Sequence, residues 1–274
     1  MVRQDIDGLL PEGLGQAICG TAGDIAALLL TAPDTSVAVP RSEWTLGEAA
    51  AHLAQANELM AQVAAGQERP YGDGTPQSLT AANAEALAVF PERRAEPLAA
   101  MITEQAEAFL DAVARAAEDG TPDAPVRTPL GMMSRAVFAS YLLTHMLGHG
   151  YDLARALGRP HMIDRGRAEL CMPFMLAVMP RVTDERAVAG LSARYALRLR
   201  GGGGFGVLVT DGAVEILGEA PDRPDCTLLV EPVAFLLIAL GRRNPWAAIA
   251  RGEVVAWGRR PWLAPRFPEL FTAP

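Results

Sequence analysis

Four histidines occur in the 274-residue chain, and three of them are spaced for a shared cation. His145 and His149 are four residues apart in a helical stretch, so they share one helix face with their Cβ atoms roughly 5–6 Å apart. That spacing lets two imidazoles converge on one metal ion, as the paired helical ligands of zinc proteases do. His52 lies on another helical stretch, on the face Ala49, His52, Ala56, Leu59, Val63, where small side chains leave space around the ring. A third imidazole from a facing helix completes a three-histidine site with open positions for water or substrate. Imidazole suits zinc, nickel, copper or iron, so spacing leaves the ion open. Taken alone, an inward histidine is more often a hydrogen-bonded core residue; the three together point to a metal. His161, after Pro160, reads as a surface residue.

The elements that must position these rings are helical over the first two thirds. Gln16 to Leu30 is apolar and alanine-rich and stops before Pro33. Thr45-Leu46-Gly47-Glu48 is a capping box that starts a helix running to about Ala65. Gln67 to Pro76, with two prolines and two glycines, reads as a loop. Leu79 to Glu118 is helical, with breaks expected at Pro91 and Pro97. Ser134 caps the helix that carries His145 and His149 along Phe138, Leu142, His145, His149, Asp152 and Ala156; Gly158 and Pro160 end it. A last helix is expected over Gly166 to Val178, kinked at Pro173. Short connections suggest an antiparallel bundle.

Near Ala187 the period changes from 3.6 to 2. Tyr195, Leu197 and Leu199 alternate with Arg194, Ala196, Arg198 and Arg200 in a half-buried strand. The glycines at 201–204 lead into a strand over Phe205 to Thr210, and Asp211-Gly212 turns it back into Ala213 to Leu217. Cys226 to Val230 and Val254 to Gly258 read as strands, Pro232 to Leu240 as a helix, and Trp262 to Phe271 as a final helical piece. Residues 1–186 therefore read as a helical bundle and 187–274 as a small α+β domain.

Composition excludes several classes. A net charge of −8 argues against a nucleic-acid or anionic-membrane surface. The longest apolar runs, Ala26 to Leu30 and Phe235 to Leu240, are far too short for a bilayer. Met1 to Leu10 carries Asp5 and Asp7 and no apolar secretion segment, so a cytoplasmic protein is expected. All 24 basic residues are arginines, which removes lysine Schiff-base chemistry and the Gly-Lys-Ser/Thr phosphate loop. This bias looks like a high-GC genome. Cys19, Cys171 and Cys226 are odd in number and far apart, fitting a reducing compartment and no cysteine zinc site. Gly201, Gly203 and Gly206 match Gly-x-Gly-x-x-Gly between two strands, where the match reads as a hairpin loop. No Gly-x-Ser-x-Gly elbow occurs. Met132, Met133, Met146, Met172, Met175 and Met179 read as core filler.

The stretch Trp44-Thr45-Leu46-Gly47-Glu48-Ala49-Ala50-Ala51-His52-Leu53 resembles the second helix of the DinB-like, mycothiol-dependent maleylpyruvate isomerase superfamily. His149-Gly150-Tyr151-Asp152-Leu153-Ala154-Arg155-Ala156 is similar to its His-Gly-Trp-Asp-Leu-Ala-Arg-Ala segment. Asp225 to Phe271, with Pro245-Trp246 and Gly258-Arg259-Arg260-Pro261-Trp262, is similar to the sterol-carrier-like domain often fused to it. The resemblance implies a two-domain α plus α/β chain, an antiparallel four-helix DinB-like bundle followed by a small α+β sterol-carrier-like domain. It also implies a divalent metal, usually zinc, on His52, His145 and His149, activating a thiol cofactor, mycothiol in actinobacteria. Two departures are visible. Maleylpyruvate isomerases typically have glutamate where this chain has His145, and tryptophan where it has Tyr151. Three neutral imidazoles leave zinc at +2 where a glutamate would leave +1, which favours thiol or water deprotonation.

Asp152, three residues after His149, is placed to accept that imidazole's second N–H, or else to pair with Arg155 or face solvent. Arg155, Arg243 and Arg260 are candidate cofactor- or substrate-anchoring residues, with Arg242 and Arg259 completing two arginine pairs; plain surface charge competes with that role. The expected function is a metal- and mycothiol-dependent isomerase or S-transferase acting on an electrophilic small molecule. The alternatives are a metal-dependent cyclase or isomerase acting without thiol in a specialised biosynthetic pathway, or a non-catalytic binder of a lipid or other apolar ligand. Small-molecule partners are expected, with no nucleic acid and no membrane, and a monomeric or homodimeric state.

Overall fold

A computed structural model describes residues 9–69, 71–73, 78–121 and 124–272. Most of the opening segment, and Pro70 and Gly74 to Pro76 of the expected loop, lie outside the described residues. By its internal contacts the chain divides into two units, Met1–Phe174 and Met175–Pro274. No helix of the described residues is long and apolar enough to cross a membrane.

In the first unit, α1 (Leu14–Leu30) and α2 (Leu46–Ala64) each pack against both α4 (Ala95–Glu118) and α5 (Arg135–Ala156). The shared interior includes Ile18, Ile25, Leu53, Ile102, Phe109 and Phe138, all fully buried, with the two phenylalanine rings 5.4 Å apart. The capping box forms as its sequence requires: Thr45 Oγ1 accepts from the Glu48 N–H at 3.3 Å, and the Glu48 carboxylate accepts from the Thr45 N–H at 2.8 Å. Those Thr45 donors hold the Glu48 carboxyl below its ordinary pKa. Ser134 accepts from the Val137 N–H at the start of α5, and Gly158, at φ +63°, ends it with the Arg159 N–H donating to the Ala154 carbonyl.

Two local expectations are corrected in this unit, and one element is added. Only Pro91 separates α3 (Leu79–Val89) from α4: Phe90 before it is extended, whereas Pro97 sits in the first turn of α4, where no N–H is needed. The helix expected over Gly166 to Val178 is two, α6 (Arg165–Leu170) and α7 (Met172–Val178), which break at Cys171, with Pro173 in the first turn of α7. A small hairpin, β1 (Val126–Thr128) and β2 (Gly131–Met133), precedes α5 and was not foreseen. Its three-residue strands are too short for alternation to show. Its turn is held by Thr128, which accepts from the Leu130 N–H and donates to the Gly131 carbonyl.

The second unit is a five-stranded sheet in the order β5-β4-β3-β6-β7, from β3 (Ala193–Leu199), β4 (Gly204–Thr210), β5 (Ala213–Leu217), β6 (Cys226–Val230) and β7 (Val254–Trp257). β3 and β6 are parallel; the other neighbours are antiparallel. Short helices α8 (Glu185–Val188), α9 (Pro232–Ala239) and α10 (Pro245–Ala250) complete it. The glycine run is a hairpin connection, with Gly201, Gly202 and Gly203 at positive φ. Tyr195, Leu197, Phe205, Val207, Cys226 and Leu228 are buried on one sheet face, and Phe205 meets Phe235 of α9. Trp262 to Phe271 forms two 3₁₀ turns, at Pro261–Leu263 and Pro268–Leu270, instead of the expected helix, because its prolines permit only single turns.

Two helical glycines separate propensity from packing. A Cβ on Gly47 would lie 2.8 Å from the Arg93 carbonyl oxygen, a backbone atom that cannot swing aside, whereas one on Gly23 would meet nothing within 4 Å. Gly23→Ala should therefore raise stability by up to ~1 kcal/mol. Gly47→Ala should lower it by about 1–3 kcal/mol despite the same propensity gain. Paired denaturant melts check the opposite signs.

Candidate metal centre

His52 comes from α2, His145 and His149 from successive turns of α5. The packing of α2 on α5 brings one ligand-capable atom of each imidazole within 4.8 Å of the others. His145 Nε2 and His52 Nε2 are 3.3 Å apart. Two nitrogens about 2.0–2.1 Å from one tetrahedral zinc ion are separated by about that distance. The ring centroids lie 4.6 Å (His145–His149), 4.8 Å (His52–His149) and 5.3 Å (His52–His145) apart. The donor set, three imidazoles and no thiolate, fits a borderline divalent ion such as zinc.

The apolar stripe expected on α5 divides in two. Phe138 and Leu142 are fully buried, while Tyr141, His145 and His149, at successive i+4 positions, are half-buried. His52 is 5% exposed, so the cluster is deeper on its α2 side than along the α5 column. Burial pushes the His52 imidazole down to about 4, keeping it neutral and able to ligate at physiological pH.

The Asp152 carboxylate Oδ2 lies 3.9 Å from His149 Nδ1, beyond hydrogen-bond distance. Arg155 is exposed on α5. In the second unit, Arg243 pairs with Glu253 at 2.9 Å, Arg260 donates to the Ser192 carbonyl at 2.9 Å, and Arg259 pairs with Asp225 at 2.7 Å. His161 sits beside Tyr151, with ring centroids 5.3 Å apart. Burial pushes the Cys171 thiol up to about 12 and the Cys226 thiol up to about 11, so neither is a thiolate at neutral pH.

Two aromatic neighbours of the cluster were not singled out from sequence. The Trp44 ring lies 4.8 Å from His52 and 6.2 Å from His149; the Tyr141 ring lies edge-on to His145 at 6.3 Å. Trp44 precedes the helix cap, outside the 3.6-residue period, so periodicity carries no signal for it. Tyr141 had one: it stands four residues before His145, in the same column as the i+4 histidine pair.

Comparison with known proteins agrees with this architecture. Residues 19–154 match the mycothiol maleylpyruvate isomerase N-terminal domain, and residues 177–258 the SCP-2 sterol transfer family. Among solved structures, the mycothiol-dependent maleylpyruvate isomerase is similar at 16% identity and TM-score 0.52, covering 90% of this chain and 93% of that one. A histidine-to-alanine mutant of the mycothiol-dependent maleylpyruvate isomerase is similar at 15% identity and TM-score 0.53, with the same coverage. The inverting sec-alkylsulfatase Pisa1 from Pseudomonas sp. matches half of this chain at 16% identity; only 24% of that chain is spanned, and at a TM-score of 0.35 the likeness carries no argument. No curated protein matches at the level of sequence. The first unit thus carries a mycothiol maleylpyruvate isomerase N-terminal domain, and the second an SCP-2 sterol transfer family domain.

Proposed function

We propose that this chain is a metal-dependent enzyme that activates a thiol, mycothiol, for S-transfer to, or isomerisation of, an electrophilic small molecule. The observation that carries the proposal is the convergence of His52, His145 and His149, one ligand atom each, within 4.8 Å. When bound there, a divalent cation such as zinc supplies the Lewis acidity that lowers the pKa of a thiol or water.

The chain's own residues account for the rest of the reading. Three neutral imidazoles donate no charge, so the pull on an incoming thiol stays undiminished by a ligand carboxylate. Asp152, with Oδ2 3.9 Å from His149 Nδ1, is the carboxylate proposed to fix that imidazole's tautomer. Cys171 and Cys226 are held as buried thiols, so neither supplies the thiolate. Arg155, exposed on the histidine-bearing helix, is the anchor proposed for an anionic group of cofactor or substrate.

A second reading concerns the second unit. On the sheet face that carries Ala196 and Leu229, Val255 and Trp257 are 44% and 42% exposed, which favours an apolar ligand there. Lipid extraction and mass spectrometry of purified protein decide it: a co-purifying apolar molecule supports this reading, and none counts against it.

Purified protein should hold about one divalent cation per chain, and His149→Ala should weaken cation affinity at least ~100-fold. Mycothiol at ~100 times its Kd should stabilise the loaded protein by about 2.7 kcal/mol, seen as a raised Tm. Turnover that is unchanged without metal, or in His149→Ala, contradicts the proposal; turnover with metal but without thiol selects the thiol-free variant of the chemistry.

A pH effect follows in the metal-free protein. The unfolded chain protonates His52 near its ordinary 6.5, the folded chain only near 4. Between those values the unfolded state binds more protons, so this contribution is whole above pH 6.5 and is lost as pH falls towards 4, by at most about 3 kcal/mol. Melts of wild type and His52→Gln from pH 7.5 to 4 should show the wild type losing more stability; parallel curves would contradict the assignment.

A further inference from the structure

We infer that Trp44 is a positioning residue for the histidine cluster, an inference that rests on the metal reading above. A cation ligated by imidazole lies in the ring plane, so plane orientation matters as much as ring position. Histidine χ2 has broad wells, and a ring without a flat neighbour can swing by tens of degrees. The Trp44 ring supplies that neighbour to two of the three ligands, at 4.8 Å and 42° to His52 and at 6.2 Å and 29° to His149. Those two rings come from different helices, so one indole registers α2 against α5 at the site.

The backbone that carries the indole is itself held in place. The Trp44 carbonyl accepts from the Val39 N–H at 2.9 Å, and the Trp44 N–H donates to Ser42 Oγ at 3.1 Å. Ala38 pairs with Thr45, the Leu46 N–H donates to the Val37 carbonyl, and the Gly47 N–H donates to the Thr35 carbonyl. The turn closing this ladder passes through Arg41 at φ +65°. Trp44 thus hangs on a backbone ladder continuous with the α2 cap. Chemistry adds to geometry, because imidazoles that ligate a cation gain positive character and an indole face attracts it.

The test uses the full chain and cobalt(II), whose visible absorption reports coordination. Wild type should bind one ion. Trp44→Leu, which removes the flat face, should bind about tenfold or more weakly with an altered absorption band, while Trp44→Phe should stay within about threefold of wild type. Cobalt should also quench indole emission more in wild type than in Trp44→Phe, which keeps the tryptophans at 246, 257 and 262. Melting of the metal-free variants separates unfolding from lost positioning; if Trp44→Leu does not fold, Trp44→Met makes the same comparison. Wild-type affinity and an unchanged band in the folded variant overturn the role of Trp44 and leave the metal reading standing. No cobalt bound by wild type overturns both.

Discussion

Three imidazoles gathered within 4.8 Å in a helical bundle pose an electrostatic problem that the rest of the first unit must solve. They cannot all be protonated, because like charges at that spacing repel and burial withholds the water that would screen them. Neutral, they bring ring nitrogens as close as 3.3 Å, where at most one proton can lie between a pair. A cation resolves both difficulties. The packing of α2 on α5 therefore works against local polarity at the site, and is held by apolar burial on either side: Leu53 and Ala54 on α2, Leu142, Met146 and Leu147 on α5.

Two devices keep that packing in register. The Thr45–Glu48 box fixes where α2 begins, and His52 falls seven residues, almost two turns, after the cap. Close approach at Gly47, whose Cα faces the Arg93 carbonyl, fixes how α2 lies on the segment leading into α4. On α5 the Ser134 cap and the Gly158 terminus bound the helix, and Gly150 lets Ile25 of α1 and Met162 come close beside His149. These positions touch no ligand atom, yet a shift in any of them moves an imidazole.

Much of this was legible in the residues. The His-x-x-x-His spacing, both caps and the period change near Ala187 are local signals written in side-chain type, and helix and strand bounds followed within a few residues. Position relative to distant chain was less legible. Pro91 and Pro97 look alike in sequence, and only the extended Phe90 before one and the helix start before the other tell a break from a first turn. The hairpin over residues 126–133 is too short for periodicity. Trp44 reaches the cluster from a short backbone ladder over residues 35–47 that no spacing rule encodes. Arg243 and Arg260, attractive as anion anchors in sequence, have Glu253 and the Ser192 carbonyl as partners in the fold.

X-ray absorption at the zinc edge of the loaded, full-length protein tests the central claim most directly. The account predicts a shell of nitrogen or oxygen donors at about 2.0–2.1 Å with the multiple-scattering signature of three imidazoles, falling to two in His52→Ala. A sulfur shell at about 2.3 Å in the thiol-free protein, or a spectrum unchanged by removing His52, would contradict it.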